Sequence, residues 1–195
     1  ELKPKCLTNL YGKQLLEWQI DSLKAAKIQN LTVVRGYKSE MINDYFRVLI
    51  SSKDQEYDFR NGKVKQLKEL KKDLVIKTVY SGLNSMTGGR LLSIRKYIDE
   101  ENFMMTYGDG LSDIDINKLI EFHKSHNRIA TITAVRPIAR FGAINLEGNK
   151  VSSFKEKQQL NEGWVNGGFF VFKKKIFDYI QDKFTVLEKD PLETL

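Results

Sequence analysis

The sequence has little cysteine and no long apolar run. Cys6 is the one cysteine among its 195 residues, which excludes an internal disulfide and is typical of a reducing compartment. No apolar run approaches the roughly 18–20 residues that span a bilayer, and no signal-peptide pattern is present. We therefore expect a cytoplasmic protein that is not embedded in a membrane.

Signatures of nucleic-acid-binding modules are also missing. The sequence contains no zinc-finger spacing, no helix-turn-helix signature and no RNP aromatic pattern, so the formal charge of +7 needs another explanation. Much of this charge lies in "KVKQLKELKKDLVIK" (63–77), where charged and apolar residues alternate as on a solvated face. A modest basic excess also suits a phosphate-rich small molecule such as a nucleotide. We expect no nucleic-acid partner.

The apolar residues alternate between helical and strand spacing along the chain. Leu16, Ile20 and Leu23 follow helical spacing, and the β-branched run "LTVVRGY" (31–37) predicts the strand that comes next. Further predicted strands, at 74–81, 103–106 and 128–136, alternate with predicted helices, which indicates an α/β domain with a largely parallel sheet. After Pro137 the pattern changes, and "FGAINLEGNKVSSFKEK" predicts an antiparallel hairpin, as does Asn61-Gly62 earlier in the chain.

One carboxylate, Asp109, lies between two glycines directly after the buried run "FMMT". Ligands of open α/β sheets gather at the carboxyl ends of strands, and glycines allow a bulky ligand to approach the backbone. A carboxylate at such a position suits Mg²⁺, which commonly binds one or two carboxylates together with substrate phosphates. The alternative is a simple Asx turn. Asp115 is better explained as the N-cap of the next helix, and Asp113 as a turn former.

Four further short motifs could contact phosphates or a sugar. "MTGGRL" places two glycines and Arg90 at a helix start, which suits an anion. "KPKCL" projects two lysines from an extended segment, "FKEK" pairs a carboxylate with a cation, and "VNGGFFVF" brings an amide and two glycines to a strand. Each motif has an ordinary structural explanation, namely a helix start, exposed lysines, a surface ion pair or a strand end. The two histidines, His123 and His126, are expected at the surface and not as metal ligands.

In this order the motifs resemble the sugar-1-phosphate nucleotidylyltransferases, and within them the cytidylyltransferase branch that acts on glucose 1-phosphate. "KPKCL", "MTGGRL", "TYGDGLSDID", "TAVRPIARFGAIN", "FKEK" and "VNGGFFVF" carry the resemblance, which extends over essentially all 195 residues. The most specific part is "MTGGRL" followed by "TYGDG". The resemblance implies a Rossmann-like nucleotidyltransferase fold, with a mostly parallel mixed sheet flanked by helices and a smaller antiparallel part that binds the sugar.

The resemblance also implies an activity and a set of site residues. The activity is transfer of a cytidylyl group from CTP to a sugar 1-phosphate with release of pyrophosphate, assisted by Mg²⁺, in a homo-oligomeric protein. Asp109 is the implied metal ligand, and Lys5 contacts the nucleotide phosphates, so these two are the implied catalytic residues. The implied nucleotide site contains Ser85, Gly88, Gly89, Arg90 and Gly108, and the implied sugar-phosphate site contains Gly142, Glu156, Lys157 and Asn166.

Two family features are expected outside this sequence. The first strand with the loop Gly-Gly-x-Gly-Thr-Arg is expected before Glu1, and a second metal-binding aspartate after Leu195, so we expect one nucleotidyltransferase domain truncated at both ends. Within it, 1–136 is expected to bind the nucleotide and 137–195 the sugar phosphate. The alternatives are a relative that uses another nucleotide or another phosphate substrate, and a non-catalytic protein that binds nucleotide sugars.

Overall fold

The computed structural model describes residues 2–51, 74–137, 143–155 and 163–195 of the chain. In these ranges strands and helices alternate, as the sequence predicts. The strands are β1 (Asn9–Leu10), β2 (Lys13–Gln14), β3 (Asn30–Arg35), β4 (Val75–Tyr80), β5 (Asn102–Thr106), β6 (Ala130–Val135), β7 (Ala143–Glu147), β8 (Lys150–Lys155) and β9 (Val165–Lys173). The helices are α1 (Leu15–Ala25), α2 (Ser39–Ser51), α3 (Thr87–Leu92), α4 (Ile116–Ser125) and α5 (Asp190–Thr194), with 3₁₀ turns at Lys5–Leu7, Arg95–Tyr97 and Lys174–Tyr179.

The first part of the fold is a parallel strand pair with two helices. β3 and β4 pair in parallel, with Asn30 opposite Val75, as their β-branched runs predict. α1 buries Leu16, Ile20 and Leu23, which recur at helical spacing. The side chains of this part form one apolar cluster of Leu7, Leu16, Ile20, Ile42, Phe46, Leu74 and Ile76.

The second part is a three-stranded sheet in the order β5–β9–β6. β9 pairs antiparallel with both neighbours, which therefore run in the same direction as each other. The α/β class is confirmed, but this sheet is less parallel than the sequence predicts, because β9 returns from the end of the chain and separates β5 from β6. Four consecutive residues of β9, Phe169 to Phe172, are buried. They belong to a second apolar cluster with Val79, Leu91, Ile94, Ile176, Phe177, Ile180 and Leu187.

A cavity of about 690 Å³ lies between these two sheets, lined along its length by β3 and β5. Side chains of α1 and α4 contribute to its lining, and so do residues of α3 and of the 3₁₀ turn that follows. Gln19, in the middle of α1, donates to the carbonyl oxygen of Tyr107 at the end of β5. The carboxyl ends of β3 and β5 lie on the same side of the molecule, because α3 reaches both ends. The Arg90 guanidinium fills the space beside Gly36, and Thr87 is joined to Tyr107 through Glu188.

Several sequence predictions differ from the structure in detail. Apolar residues at helical spacing continue from Leu91 to Ile98 and predict one helix, but α3 ends at Leu92 and is followed by a separate 3₁₀ turn. The prediction of surface histidines is wrong for His123, which is 1% exposed because its ring is hydrogen-bonded between α4 and the strands beneath it. The predicted hairpin at 143–155 is present as β7 and β8, whereas the one at Asn61-Gly62 lies outside the described residues.

The described ranges contain no helix long and apolar enough to cross a membrane.

Candidate active site

Lys5 and Asp109 are brought together although 103 residues separate them in the sequence. Lys5 lies in a 3₁₀ turn that begins after Pro4, and its Nζ is 3.5 Å from Asp109 Oδ2. Both side chains are largely exposed, at 65% and 45%. Such an exposed ion pair contributes at most about 1 kcal/mol to folding stability, so it exchanges readily for contacts with a charged ligand.

Hydrogen bonds from Gln19 hold the turn that carries Asp109. This glutamine is buried on α1, and its Nε2 donates to the carbonyl oxygens of both Tyr107 and Gly110, each at 2.7 Å. The amide of Gly110 also donates back to Tyr107 O at 3.4 Å, which closes the turn. The carboxylate of Asp109 therefore lies at the tip of a turn whose flanking residues, Tyr107 and Gly110, are held by hydrogen bonds. Gln19 could not be predicted from the sequence, because a single glutamine on a helix has no distinctive pattern.

Asp109 suits a hard divalent cation whose coordination shell is completed by oxygens of the substrate. Its carboxylate is exposed at a strand end, beside a cation that contacts phosphates well. The described residues contain no group of three or more acidic, histidine or cysteine side chains that could enclose a metal on their own. Asp115 is not part of this site, because it caps α4 by accepting from the amide of Lys118 at 3.1 Å, as predicted. The arrangement thus suits a divalent cation to which Asp109 contributes a carboxylate oxygen.

The glycine pair at the start of α3 is covered by another segment of the chain. Gly88 and Gly89 are buried, and their amides donate to the carbonyl oxygen of Thr185 at 3.0 and 3.3 Å. A Cβ at Gly88 would lie 2.8 Å from that oxygen, and one at Gly89 would collide with the backbone of Lys183. These amides are therefore engaged within the protein, whereas a helix start that binds an anion offers free amides. A nucleotide role for Gly88 and Gly89 stays a prediction.

Arg90 and Ser85 lie at the carboxyl ends of β3 and β4. Arg90 Nη1 donates to Ser81 Oγ at 2.9 Å, and the guanidinium occupies the space where Gly36 has no side chain. Ser85 is buried, and its hydroxyl donates to the carbonyl oxygen of Ser81. The two side chains thus converge on Ser81 at the edge where ligands of α/β sheets bind. Their predicted contacts with a nucleotide remain predictions.

Asn166 lies at a distortion of β9 and contacts the end of β5. Its Oδ1 accepts from the amide of Gly168 at 2.8 Å, and its Nδ2 donates to the hydroxyl of Tyr107 at 3.2 Å. Gly168 has φ +80° and a Cβ there would lie 3.0 Å from the Tyr107 ring, so both backbone and space require glycine. The pairing of β9 with β6 shifts register beside this point. The bulge directs the exposed Asn166 to the side of the molecule where Asp109 lies.

Tyr107 and Glu188 complete the site and were not predicted. The Tyr107 hydroxyl donates to Glu188 Oε1, and Glu188 Oε2 accepts from Thr87 Oγ1 at 2.6 Å. Burial of the ring raises the pKa of Tyr107 well above its usual value, and the hydrogen bond to the Glu188 carboxylate acts in the same direction. The phenol is therefore protonated near neutral pH. Through these bonds Glu188 connects the end of β5 with the start of α3.

The structure thus gathers part of the predicted site. Lys5, Gly108 and Asp109 lie together, and Asn166 is joined to them through Tyr107. Gly108 adjoins Cys6, whose thiol pKa is raised by burial and, to a smaller extent, by the negative charge of Asp109. Three predicted sugar-phosphate residues lie outside the described ranges: Gly142, Glu156 and Lys157.

Comparisons with known proteins agree with this picture. The family model described as nucleotidyl transferase matches residues 1–194. A glucose-1-phosphate cytidylyltransferase of Salmonella typhi is 36% identical over 197 residues, which cover 100% of this chain and 76% of that protein. A probable glucose-1-phosphate cytidylyltransferase of Bacillus subtilis is 33% identical, covering 98% and 76%. The crystal structure of HddC from Yersinia pseudotuberculosis superposes with a TM-score of 0.68 at 25% identity, covering 99% and 77%.

Proposed function

Because the chain belongs to the nucleotidyl transferase family, we propose that it transfers a cytidylyl group from CTP to glucose 1-phosphate, giving CDP-glucose and pyrophosphate. The observation that carries this proposal is the 36% identity to a glucose-1-phosphate cytidylyltransferase over the whole chain. The contact between Lys5 and Asp109 at the end of β5 supports it, because a cation and a metal-binding carboxylate are what a triphosphate requires.

In this reaction an oxygen of the sugar phosphate attacks the α-phosphorus of CTP and pyrophosphate leaves. The protein contributes position and charge and supplies no covalent nucleophile. Lys5 contacts the phosphates of the nucleotide and balances their charge. Asp109 holds a divalent cation, which we propose is Mg²⁺ and which neutralises charge on the phosphate oxygens when bound. Gln19 keeps the Asp109 turn in place through its two hydrogen bonds.

The two substrates are assigned to different walls of the site. We place the nucleotide against the ends of β3, β4 and α3, and the sugar phosphate against β9, where Asn166 is exposed. The resemblance supplies the remaining contacts. The nucleotide-side residues are Ser85, Gly88, Gly89, Arg90 and Gly108, and the sugar-phosphate residues are Gly142, Glu156, Lys157 and Asn166.

We also propose that both parts, 1–136 and 137–195, form one domain. The sheet β5–β9–β6 supports this, because its middle strand comes from the second part and its neighbours from the first. For the assembly we propose a homo-oligomer in the cytoplasm. Large apolar side chains at the β7–β8 hairpin and at the start of β9 are half exposed or more, which favours an interface there: Ile144, Leu146, Val151 and Trp164. Sedimentation velocity on the protein and on Leu146→Asp tests this, and a monomeric wild-type protein contradicts it.

A pyrophosphate-release assay tests the proposed reaction. The four nucleoside triphosphates are each combined with several sugar 1-phosphates, with and without Mg²⁺. We expect the highest rate with CTP and glucose 1-phosphate and no rate when the divalent cation is chelated. Equal rates with UTP and CTP contradict the cytidylyl assignment, whereas binding of nucleotide sugars without release of pyrophosphate supports the non-catalytic alternative.

A further inference from the structure

Three side chains form a directed hydrogen-bond relay at the end of β5. Glu188 accepts from the Tyr107 hydroxyl, and the Tyr107 oxygen accepts from Asn166 Nδ2. We call Glu188, Tyr107 and Asn166 the relay. Its members are 81 and 59 residues apart, so tertiary structure alone assembles it. The other oxygen of Glu188 accepts from Thr87, whose own hydroxyl accepts from the amide of Leu187 at 2.9 Å.

The chemistry of Glu188 fixes the direction of every bond in the relay. An ionised carboxylate only accepts hydrogen bonds, so the Tyr107 proton points to Glu188 and the Tyr107 oxygen must accept from its other neighbour. The neighbour is the amide of Asn166, which therefore turns its NH₂ group to Tyr107 and its oxygen to Gly168. The amide of Gly168 donates to that oxygen at 2.8 Å, so the contact with Gly168 requires the same orientation of the Asn166 side chain as the contact with Tyr107.

This orientation leaves one hydrogen-bond donor available to a ligand. The NH₂ group of Asn166 carries two protons, of which one is used by Tyr107. The second has no protein partner within the described ranges, and the side chain is exposed on the wall assigned to the sugar phosphate. Sugar hydroxyl and phosphate oxygens accept such a proton.

We propose that Glu188 is a positioning residue for the sugar phosphate: its charge sets the polarity of the relay so that Asn166 presents an N–H donor to that substrate. The inference rests on the proposed function for the identity of the substrate. Glu188 does not touch the substrate in this scheme and acts through Tyr107 and Asn166. The same carboxylate also ties the start of α3 to β5 through Thr87, but that tie does not depend on the polarity of the relay.

Glu188→Gln changes the hydrogen-bond direction in the relay and keeps the shape of the side chain. Glutamine matches glutamate in size, and its oxygen can still accept from Thr87. Its NH₂ group, however, donates to Tyr107, so the Tyr107 proton turns to Asn166 and Asn166 must present its oxygen there. We expect the KM for glucose 1-phosphate to rise about tenfold or more, the usual effect of losing one well-placed hydrogen bond in a site, whereas the KM for CTP changes little.

Tyr107→Phe removes the middle of the relay and is expected to raise the same KM by a similar factor. The double variant should be no worse than the stronger single variant, because both break one relay. Tyr179→Phe is the matched control, since Tyr179 is a partly buried tyrosine outside the site, and it should leave both KM values unchanged.

A second measurement does not depend on turnover. In nitrogen-15 spectra of the ligand-free protein, the Asn166 side-chain amide signals are assigned by their loss in Asn166→Asp. Glu188→Gln and Tyr107→Phe should shift these signals and the backbone amide of Gly168, and Tyr179→Phe should not. Unmoved signals overturn the relay. Moved signals with an unchanged KM for glucose 1-phosphate overturn its role in positioning, as do equal rises in both KM values.

The experiments also distinguish an error in the proposed function from an error in this inference. If the wild-type protein releases no pyrophosphate with any substrate pair, the cytidylyl transfer is wrong. In that case titration of glucose 1-phosphate into the same spectra decides the inference, because the Asn166 amide signals should move in the wild-type protein and move less at equal concentration in Glu188→Gln. No movement in the wild-type protein overturns the assignment of Asn166 to this substrate.

Discussion

Asp109 shows how much one side chain contributes to the proposed chemistry and how little to the fold. Asparagine has nearly the same shape, and the exposed pair with Lys5 contributes at most about 1 kcal/mol to stability. We therefore predict that Asp109→Asn keeps the wild-type melting temperature. The rate of pyrophosphate release should fall on the order of 10²-fold or more, because the site loses an electrostatic stabiliser of the transition state.

The measurement is the rate across a Mg²⁺ titration, with the melting temperature recorded on the same samples. Asp113→Asn is the matched control, since Asp113 is exposed in the same loop and is expected to retain full activity. Activity of Asp109→Asn equal to that of the wild-type protein at all Mg²⁺ concentrations would reduce Asp109 to a turn former.

Single residues differ in how far the sequence reveals their role. Asp115 was predicted correctly as an N-cap because the signal is local, a carboxylate just before a helical apolar pattern. Gly88 and Gly89 were ambiguous, since glycines that expose amides and glycines that admit a packed segment look the same in a sequence. Glu188 was missed, because its partners Thr87 and Tyr107 are 101 and 81 residues away.

At the scale of elements, α4 is held on the second sheet by a buried histidine. His123 Nδ1 lies 2.8 Å from Thr131 Oγ1 on β6, and Nε2 lies 3.1 Å from Asn102 Oδ1 on β5. Burial lowers the pKa of His123 below its usual value of 6.5, and the nearby His126 and Lys173 act in the same direction. The folded protein therefore resists protonation of this ring more than the unfolded chain does.

This predicts a loss of stability in mild acid. Above pH 6.5 His123 is neutral in both states and its hydrogen bonds are fully available. As the pH falls below 6.5, His123 binds a proton in the unfolded chain but not in the folded protein. The free energy of unfolding therefore decreases until the pH reaches the pKa of His123 in the folded protein. Urea unfolding at pH 7.5 and pH 5.5 measures the change.

His123→Gln provides the comparison, because glutamine offers a donor and an acceptor but does not titrate. It should be less stable than the wild-type protein at pH 7.5, and its stability should fall less between the two pH values. An equal decrease in both proteins would assign the acid sensitivity to other groups.

The positions of strands and helices along the chain could be predicted from the sequence better than the pairing of the strands in the sheets. Strands appear as β-branched and aromatic runs, and helices as apolar residues at positions three and four apart, so β3, β4, α1 and α4 could be located from local pattern alone. The insertion of β9 between β5 and β6 could not, because a strand that is buried on both faces has the same apolar run in a parallel or an antiparallel sheet. Pairing depends on contacts that no local pattern records.

At the scale of the whole molecule, the cavity separates two strand edges that face each other. Ser81 N donates to Arg35 O and Val75 N to Gln29 O, so odd-numbered residues of β3 direct their backbone groups to β4. Likewise Tyr107 N donates to Gly168 O, so odd-numbered residues of β5 face β9. Because backbone direction alternates along a strand, the even-numbered residues direct their amides into the cavity: Thr32, Val34, Met104 and Thr106.

We predict that these four amides exchange with solvent deuterium faster than those of Val33 and Met105, the neighbours that pair within each sheet. The difference should be about fivefold or more, since one backbone hydrogen bond is worth about 1 kcal/mol of local protection. Residue-resolved hydrogen exchange measures this. Equal protection of both sets would mean that another stretch of polypeptide pairs with the two edges in solution.

The bond from Thr87 to Glu188 also has a consequence for biosynthesis. A ribosome adds about 5–20 residues per second, so the 101 residues that follow Thr87 up to and including Glu188 take about 5–20 s to synthesise. During that interval the start of α3 has neither the carbonyl oxygens of Lys183 and Thr185 nor the carboxylate of Glu188 to hold it. A nascent chain can therefore form its parallel pair early, whereas the proposed nucleotide and sugar-phosphate walls are joined only after the last of these residues has emerged.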